Sequence, residues 1–453
     1  MGPFWRPAQL ALHLPAHGRG RALAPGLRRL LREPPGSWDL PELPGFGGPL
    51  EPEGTVAEAQ RRCAALLGAD RCWFGVNGAS GLLQAALLAL CPPGSRVLLP
   101  RNVHRSLLHG CVLGGLEPFL FALPSDPLTG LWRPPGPGRL ERVLAAAHAG
   151  DGPPVAALVL VDPTYQGLTA DLPALVALAH RAGLPVLVDQ AHGDGEALAA
   201  GADLVVLSLQ KSGTGLAQSA TLLARGPRVS PPAIERALLW LQTSSPSALL
   251  LTSTAAALEH AASAAGRQQR RRAEARAAGL RRRLGALQLP LVANADPLRL
   301  VLATAPLGIN GLEADAWLLE RGVIAELPEP GALTFCLGLD PPRALERRLP
   351  RSLQALRQAL GGDPLPPFVA PPLPLLAAPE LPIGEAWRAV AEVVPLERAA
   401  GRVAAAPICP YPPGIPLLVP GERIDPERAG WLRAQRRLWP GQIADTVRVV
   451  AGS

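Results

Sequence analysis

Of the 44 basic residues in this chain, all but one are arginine, and the exception is Lys211. A guanidinium stays protonated and is a poor nucleophile, whereas a desolvated lysine amine can shed its proton and condense with a carbonyl to a Schiff base. A sequence that has given up lysine everywhere else keeps it where the amine itself is needed, or by accident on a surface, and the neighbours decide which. Asp189 closes the apolar run Leu187-Val188 and leads into Gln190-Ala191-His192, 22 residues before Lys211. A carboxylate at the C-terminal edge of a strand lies where open α/β sheets bind ligands, and it can keep a heterocyclic nitrogen protonated. The turn Asn77-Gly78-Ala79-Ser80-Gly81 offers backbone amides and the Ser80 hydroxyl to an anion such as phosphate. His104 follows another apolar run and can stack its imidazole on a planar ring. Singly, each has a plain structural explanation: a tight connection, a cap, or polar packing, which also covers His17, His109 and His192.

The elements that must position these groups are legible as alternation. Short apolar runs at Cys72–Val76, Arg96–Leu99, Val155–Val161, Pro185–Val188 and Ala202–Leu207 are interleaved with Ala/Leu-rich helical stretches such as Leu82–Leu90 and Leu172–Ala182. That rhythm predicts an α/β fold with a mostly parallel sheet whose strands are buried on both faces. A helix is expected to open near Asn102 and run through His104 to Leu113. The arginine-rich segment Ile234–Leu287 forms helices leading to a second αβ unit, with strands at Leu298–Leu302 and Leu333–Leu337 around a helix at Gly311–Arg321. Gly361–Glu380, dense in Pro and Leu, reads as a linker. The expected division is an N-terminal arm 1–54, a large ligand-binding unit 55–265, a small αβ unit 266–360, the linker 361–380 and a C-terminal unit 381–453.

Composition removes several classes. With 453 residues, 48% hydrophobic and 18% charged, the chain can bury large cores, and its 47 glycines and 53 prolines fall short of a disordered or fibrous composition. The longest uncharged stretch, Ala237–Leu258, is broken by Gln242 and Pro246, so no membrane span is expected. The opening segment with Arg6 lacks a secretory core, and six cysteines without a CxxC pair read as reduced and cytoplasmic. No HExxH or Cys/His grouping calls for a metal, no GxGxxG follows a strand, and Gln210 before the lysine rules out a Walker loop. The net charge of +7 raises nucleic acid as a partner, but the Arg267–Arg283 stretch has helical spacing and almost no aromatics, which argues for a solvated helix face.

A phosphate turn, a stacking histidine, a strand-end aspartate and a lone lysine, in that order, are the parts a pyridoxal phosphate enzyme of the aspartate-aminotransferase fold requires. Across nearly its whole length the chain also resembles the Orn/Lys/Arg decarboxylases, in the short form without an N-terminal wing domain. His13–Gly20 (HLPAHGRG) is similar to the family's opening HTPGHKGG, and Leu40–Gln60 to its next block. VNGASG (Val76–Gly81), PRNVHRS (Pro100–Ser106), DPTYQG (Asp162–Gly167), VDQAHG (Val188–Gly193), SLQKSGTGLAQSA (Ser208–Ala220), LQTSSPS (Leu241–Ser247), ELPEP (Glu326–Pro330) and PYPPGIPLLVPGE (Pro410–Glu422) continue the resemblance.

Carried over on those residues, the resemblance implies a Schiff base at Lys211, Asp189 against the pyridine nitrogen, Ala191 and His104 on the two faces of the ring, and Ala79, Ser80 and Ser208 at the phosphate, with His192 and Gln210 also lining the cofactor. The implied activity is decarboxylation of a basic amino acid, arginine before lysine or ornithine, in a homodimer or higher even oligomer. Glu326, Glu329 and Glu422 are the acids expected to reach the substrate's distal cation. The sequence departs from the pattern at Gln210, where the family has His, at Gln190, where it has Glu, and at Gly18-Arg19, where it has Lys-Gly. Gln210 can donate a hydrogen bond to phosphate but carries no charge. An aminotransferase using an arginine clamp, and a non-catalytic or RNA-binding derivative, are the alternative readings.

Overall fold

Side chains alternate across a strand, so a strand covered by helices on both faces needs apolar residues at every position. The central sheet follows this rule. Leu98, Leu158, Leu160, Val186, Val188, Val205 and Leu207 enter one core, while Val97, Leu99, Ala157, Val159, Leu187, Leu204 and Val206 enter a second core on the opposite face. Each such buried Leu or Val contributes roughly 1.5–3 kcal/mol before ordering costs. The computed structural model describes residues 10–34, 36–41, 43–411 and 414–453. Arg6 of the opening segment, Glu42 of the Leu40–Gln60 block and Pro412-Pro413 of the Pro410–Glu422 block lie outside the described residues.

In chain order the sheet is built from β1 (Arg71–Gly75), helix α1 (Gly78–Leu90), β2 (Arg96–Pro100), helix α2 (Arg105–Gly114), β3 (Glu117–Phe121), β4 (Val155–Val161), helix α3 (Leu172–Arg181), β5 (Val186–Asp189), β6 (Leu204–Ser208) and β7 (Ala220–Ala224). The spatial order is β3-β2-β4-β5-β6-β7-β1, parallel from β3 to β6, with β7 antiparallel to both its neighbours. The C-terminal ends of β1, β4, β5 and β6 therefore share one edge, where ligands collect in such sheets.

Helix α4 (Ala248–Ala262) packs Leu251, Ala257 and Leu258 into the large core. Helix α5 (Ala264–Ala286) packs Ala273, Ala277, Leu280 and Leu284 into a separate core, formed with β8 (Arg299–Ala303), β9 (Leu327–Glu329) and β10 (Ala332–Cys336) in the antiparallel order β9-β10-β8. The arginine-rich helix spends several of its cations on the protein itself. Arg270 bonds Glu274, Arg276 bonds Glu346, and Arg281 donates to the Asn294 side chain and the Arg299 carbonyl. A third unit carries the strand pair β12 (Ala391–Pro395) and β13 (Thr446–Val450) and helix α6 (Pro426–Leu438) over a core including Leu418, Leu432 and Val449.

Three local expectations need correcting. The helix after β2 starts at Arg105, not near Asn102, because His104 is its N-cap: Nδ1 accepts from Ser106 N at 3.3 Å. The strand of the small unit runs from Arg299 to Ala303, one residue later than expected. The Pro-rich stretch 361–380 does not merely connect. Leu376–Ala377 in it forms β11, which pairs antiparallel with Phe121 and Leu120 of β3 and closes that edge of the central sheet. Among the described residues, no helix is long and apolar enough to cross a membrane, and no group of His, Cys, Asp and Glu has the arrangement of a metal site.

Candidate active site

Lys211 sits in the turn that follows β6; its N–H donates to the Ser208 carbonyl at 3.0 Å. Its Nζ lies 3.3 Å from His192 Nε2 and 5.8 Å from the centroid of the Tyr165 ring. Burial lowers the pKa of the amine; Asp189 and Glu326 oppose this and Arg299 assists it. Asp189 ends β5 and is 5% exposed. Its Oδ1 accepts from Ala191 N at 3.2 Å. Burial raises the carboxyl's pKa, and Lys211 and the Ala191 N–H only partly offset it. A buried carboxyl left short of compensation suits a cationic ring nitrogen as its missing partner.

At the same edge, α1 presents its first turn. The N-cap residue Asn77 donates its side-chain Nδ2 to the Leu241 carbonyl at 2.8 Å and makes no cap bond, while Gly78 takes φ +67°, which glycine tolerates. The amides near Ala79 and Ser80 thus keep their capacity for an anion. Ser208 is buried at the end of β6. His104 exposes its ring at the head of α2. Desolvation, then Lys211 and Arg105, push its imidazole down to about 4, so it is neutral at pH 7.

The structure brings Asp189, His104 and His192 within electrostatic reach of Lys211. A cavity of about 530 Å³ opens on Lys211 and is lined also by His192, Gln190, Asp162, Asp194, Glu196, Arg270 and Arg299. Asp189, His104, Ala79, Ser80, Ala191, Ser208 and Gln210 do not line that cavity. Burial raises Asp162 to about 7 and Asp194 to about 6. Gln190 donates to Glu196 at 3.2 Å and accepts from Ala197 N at 3.3 Å, tying down the short helix Glu196–Ala199. A glutamate there would face Glu196 with like charge, so the amide is matched to its neighbour in this chain. Gln210 accepts from Ala16 N through its carbonyl at 2.7 Å and so ties the His13–Gly20 segment to the lysine turn.

The three acids expected at the distal substrate group have different fates. Glu326 accepts from the Tyr165 hydroxyl and, at 2.6 Å, from Leu14 N, and its charge is felt by Lys211. Glu329 is buried on Gln166 Nε2 at 2.7 Å, and burial raises it to about 7. Glu422 is not available to a substrate: both oxygens are taken by Arg101, at 2.6 and 2.9 Å, and Arg428 adds a further bond at 3.1 Å.

Arg101 is 0% exposed, so Glu422 is its buried counter-charge. Glu422→Ala is expected to cost about 3–5 kcal/mol in urea unfolding, because it strands that guanidinium. A loss below about 1 kcal/mol would show that Arg101 finds water or another acceptor. Burial pushes Glu422 up, yet the bonds and charges of Arg101 and Arg428 outweigh it and the pKa ends below the usual carboxylate value. This stabilisation is present above the ordinary glutamate range and is lost as pH falls through the lowered value.

Sequence reasoning passed over two groups that touch the lysine neighbourhood. Tyr165 packs its ring on His192, centroids 4.3 Å apart. Arg299, on β8 and 2% exposed, reaches His192 Nδ1 at 3.3 Å and the Lys211 carbonyl at 3.4 Å. The available signal was an arginine inside the otherwise apolar run Leu298–Leu302, which buries a charge unless something meets it.

Comparison with known proteins shows the family. The family model for the Orn/Lys/Arg decarboxylase major domain matches residues 6–295, and that for the C-terminal domain of the same family matches residues 375–439. The arginine decarboxylase of Halalkalibacterium halodurans is 32% identical over 94% of this chain and 90% of its own length, and that of Bacillus subtilis is 30% identical over 93% and 89%. Among solved structures, lysine decarboxylase A from Pseudomonas aeruginosa superposes with a TM-score of 0.77 at 19% identity, covering 91% of this chain and 74% of that one. The Francisella novicida lysine decarboxylase gives 0.78 at 17% identity, covering 99% and 79%. A half-buried lysine and a buried aspartate on one sheet edge, two family models and relatives matched over most of their length lead to the same place: this chain belongs to the Orn/Lys/Arg decarboxylase family.

Proposed function

We propose that the chain decarboxylates a basic amino acid, arginine in preference to lysine or ornithine, with pyridoxal phosphate held at Lys211. The observation that carries this reading is a half-buried amine of lowered pKa beside a buried aspartate of raised pKa on the sheet edge that also presents the first turn of α1. Those residues fit the cofactor. Asp189 would hold a proton at the ring nitrogen, the accessible face of His104 and the Ala191 methyl would take the two ring faces, and Ala79, Ser80, Ser208 and Gln210 would hold the phosphate. When bound, pyridoxal phosphate supplies the aldehyde that takes up the amino group and the ring that accepts the electron pair CO2 leaves behind.

The chain's own part is to bind and orient. Four acids, Asp162, Asp194, Glu196 and Asp296, line the cavity that reaches Lys211, of which Asp194 and Asp296 are paired with Arg270 and Arg299. That lining suits a cationic side chain, and the relatives named arginine decarboxylase favour a guanidinium. Lys211 Nζ, 3.3 Å from His192 Nε2, can hold or pass a proton at that point. An aminotransferase would need a guanidinium for the substrate carboxylate. Arg299 is a buried one beside Lys211, but its Nη2 is already committed to His192 and the Lys211 carbonyl.

The test is release of labelled CO2 from arginine, lysine and ornithine by the protein with pyridoxal phosphate. The expected result is arginine ahead by at least about tenfold in kcat/KM, or about 1.4 kcal/mol of transition-state preference. A keto acid product without CO2 would establish the aminotransferase instead. We further infer a homodimer or higher even oligomer, since soluble assemblies usually close with symmetry and the described residues among 36–45 are mostly exposed. Light scattering of the active protein should give a mass of two chains or more, and a fully active monomer would refute it.

A further inference from the structure

Arg299, His192 and Lys211 form a row whose hydrogens can be assigned from chemistry alone. Arg299 Nη2 lies 3.3 Å from His192 Nδ1, and Lys211 Nζ lies 3.3 Å from His192 Nε2. A guanidinium has donors and no acceptor, so Nδ1 must accept. In a neutral imidazole the proton is then on Nε2, and Nε2 must donate to Nζ. An ammonium has no lone pair to receive it, whereas a neutral amine does. The row closes only when Lys211 is unprotonated.

We propose that Arg299 is a positioning residue for Lys211: delivered by β8 of the small unit, it fixes His192 in the Nε2–H form, and that N–H holds the lysine as a neutral, carbonyl-capturing amine. The groups around the row are arranged for and against this. His192 is faced by Arg299, by Lys211, by the Tyr165 ring and, within electrostatic reach, by His104. Lys211 is faced by Asp189 and Glu326, which favour the ammonium, and by Arg299, which opposes it; the thiol of Cys336 also lies within reach. Burial, and the Arg299 guanidinium beside it, keep His192 uncharged, as the assignment requires. The two carboxylates explain why the amine needs a donor aimed at its lone pair. Capture is a condensation in which Nζ bonds the carbonyl carbon and the oxygen leaves with both amine hydrogens as water.

The inference rests on the reading of Lys211 as the capturing amine, and its test uses neither pyridoxal phosphate nor an amino acid, so it can fail while the decarboxylase reading stands. Because Lys211 is the only lysine, formaldehyde with cyanoborohydride methylates one side chain, and the N-terminal amine serves as internal control. The full chain, freed of bound carbonyls with hydroxylamine, is treated across pH 6–10 and the Lys211 peptide is quantified by mass spectrometry. R299Q and H192F should each move the midpoint of methylation upward by about one pH unit, a roughly tenfold slower capture at pH 7. In the H192F background, adding R299Q should move it much less, by only the direct effect of the Arg299 charge on Lys211. An equal R299Q shift with and without H192F would mean that Arg299 acts by charge alone and would overturn the proposal. So would an unmoved midpoint in H192F, which decides the matter even if R299Q fails to fold.

Discussion

Lys211→Arg, in protein saturated with pyridoxal phosphate, is expected to release no CO2 above background from arginine, lysine or ornithine and to give no adduct that borohydride fixes. Arginine keeps the positive charge and most of the length, so phosphate and carboxylate groups in the site still meet a cation, but the nucleophilic amine is gone. Wild-type protein should carry the pyridoxyl group on Lys211 after reduction, and at no other side chain, since the sequence offers no other amine except its N-terminus. The contrast separates covalent capture from electrostatic attraction. A wild-type protein that yields no reducible adduct would leave the shared fold standing and remove the enzyme.

Asp189→Asn should lower kcat by about 10²–10⁴-fold while cofactor affinity changes far less. The amide can still accept the Ala191 N–H that Asp189 Oδ1 accepts at 3.2 Å. It cannot hold a ring nitrogen protonated. The phosphate contacts of α1 are untouched, which is why binding and turnover should part company. Folding supplies a control. A buried carboxyl whose pKa is raised destabilises the protein increasingly as pH rises through the ordinary aspartate range. The cofactor-free variant should therefore be at least as stable as wild type at pH 7. Turnover within a few fold of wild type would reject the assignment of Asp189 to the ring nitrogen.

Residues whose environment is written in their own neighbourhood were readable. The buried strands appear as unbroken apolar runs because helices cover both sheet faces, and Asp189 stands out as the charge that ends one of them. Lys211 stands out by composition. What escaped depends on distant partners. Arg299 meets Lys211 and His192 across 88 and 107 residues, and nothing near it distinguishes it from the many other arginines except its apolar strand. Glu422 looked free because its partner Arg101 is 321 residues away. The start of α2 was misplaced for a local reason: Asn102 is the better cap by residue type, yet the His104 imidazole takes that role. Strand β11 is two residues long, too short for any periodicity to announce it.

The Arg101–Glu422 pair also bears on how this protein can be inherited and recombined. Arg101 directly follows β2 of the central sheet, and Glu422 belongs to the C-terminal unit, whose family model is separate from that of the major domain. Arg101 without Glu422 is a charge sealed in with no counterpart, and Glu422 without Arg101 loses the partner that takes both its oxygens and keeps only Arg428. Natural exchange of C-terminal units between relatives, or their fusion to a new major domain, is therefore permitted only where both positions travel together or both are lost. In an alignment of descendants, columns 101 and 422 should change in the same lineages, a covariation that marks the joint between two modules.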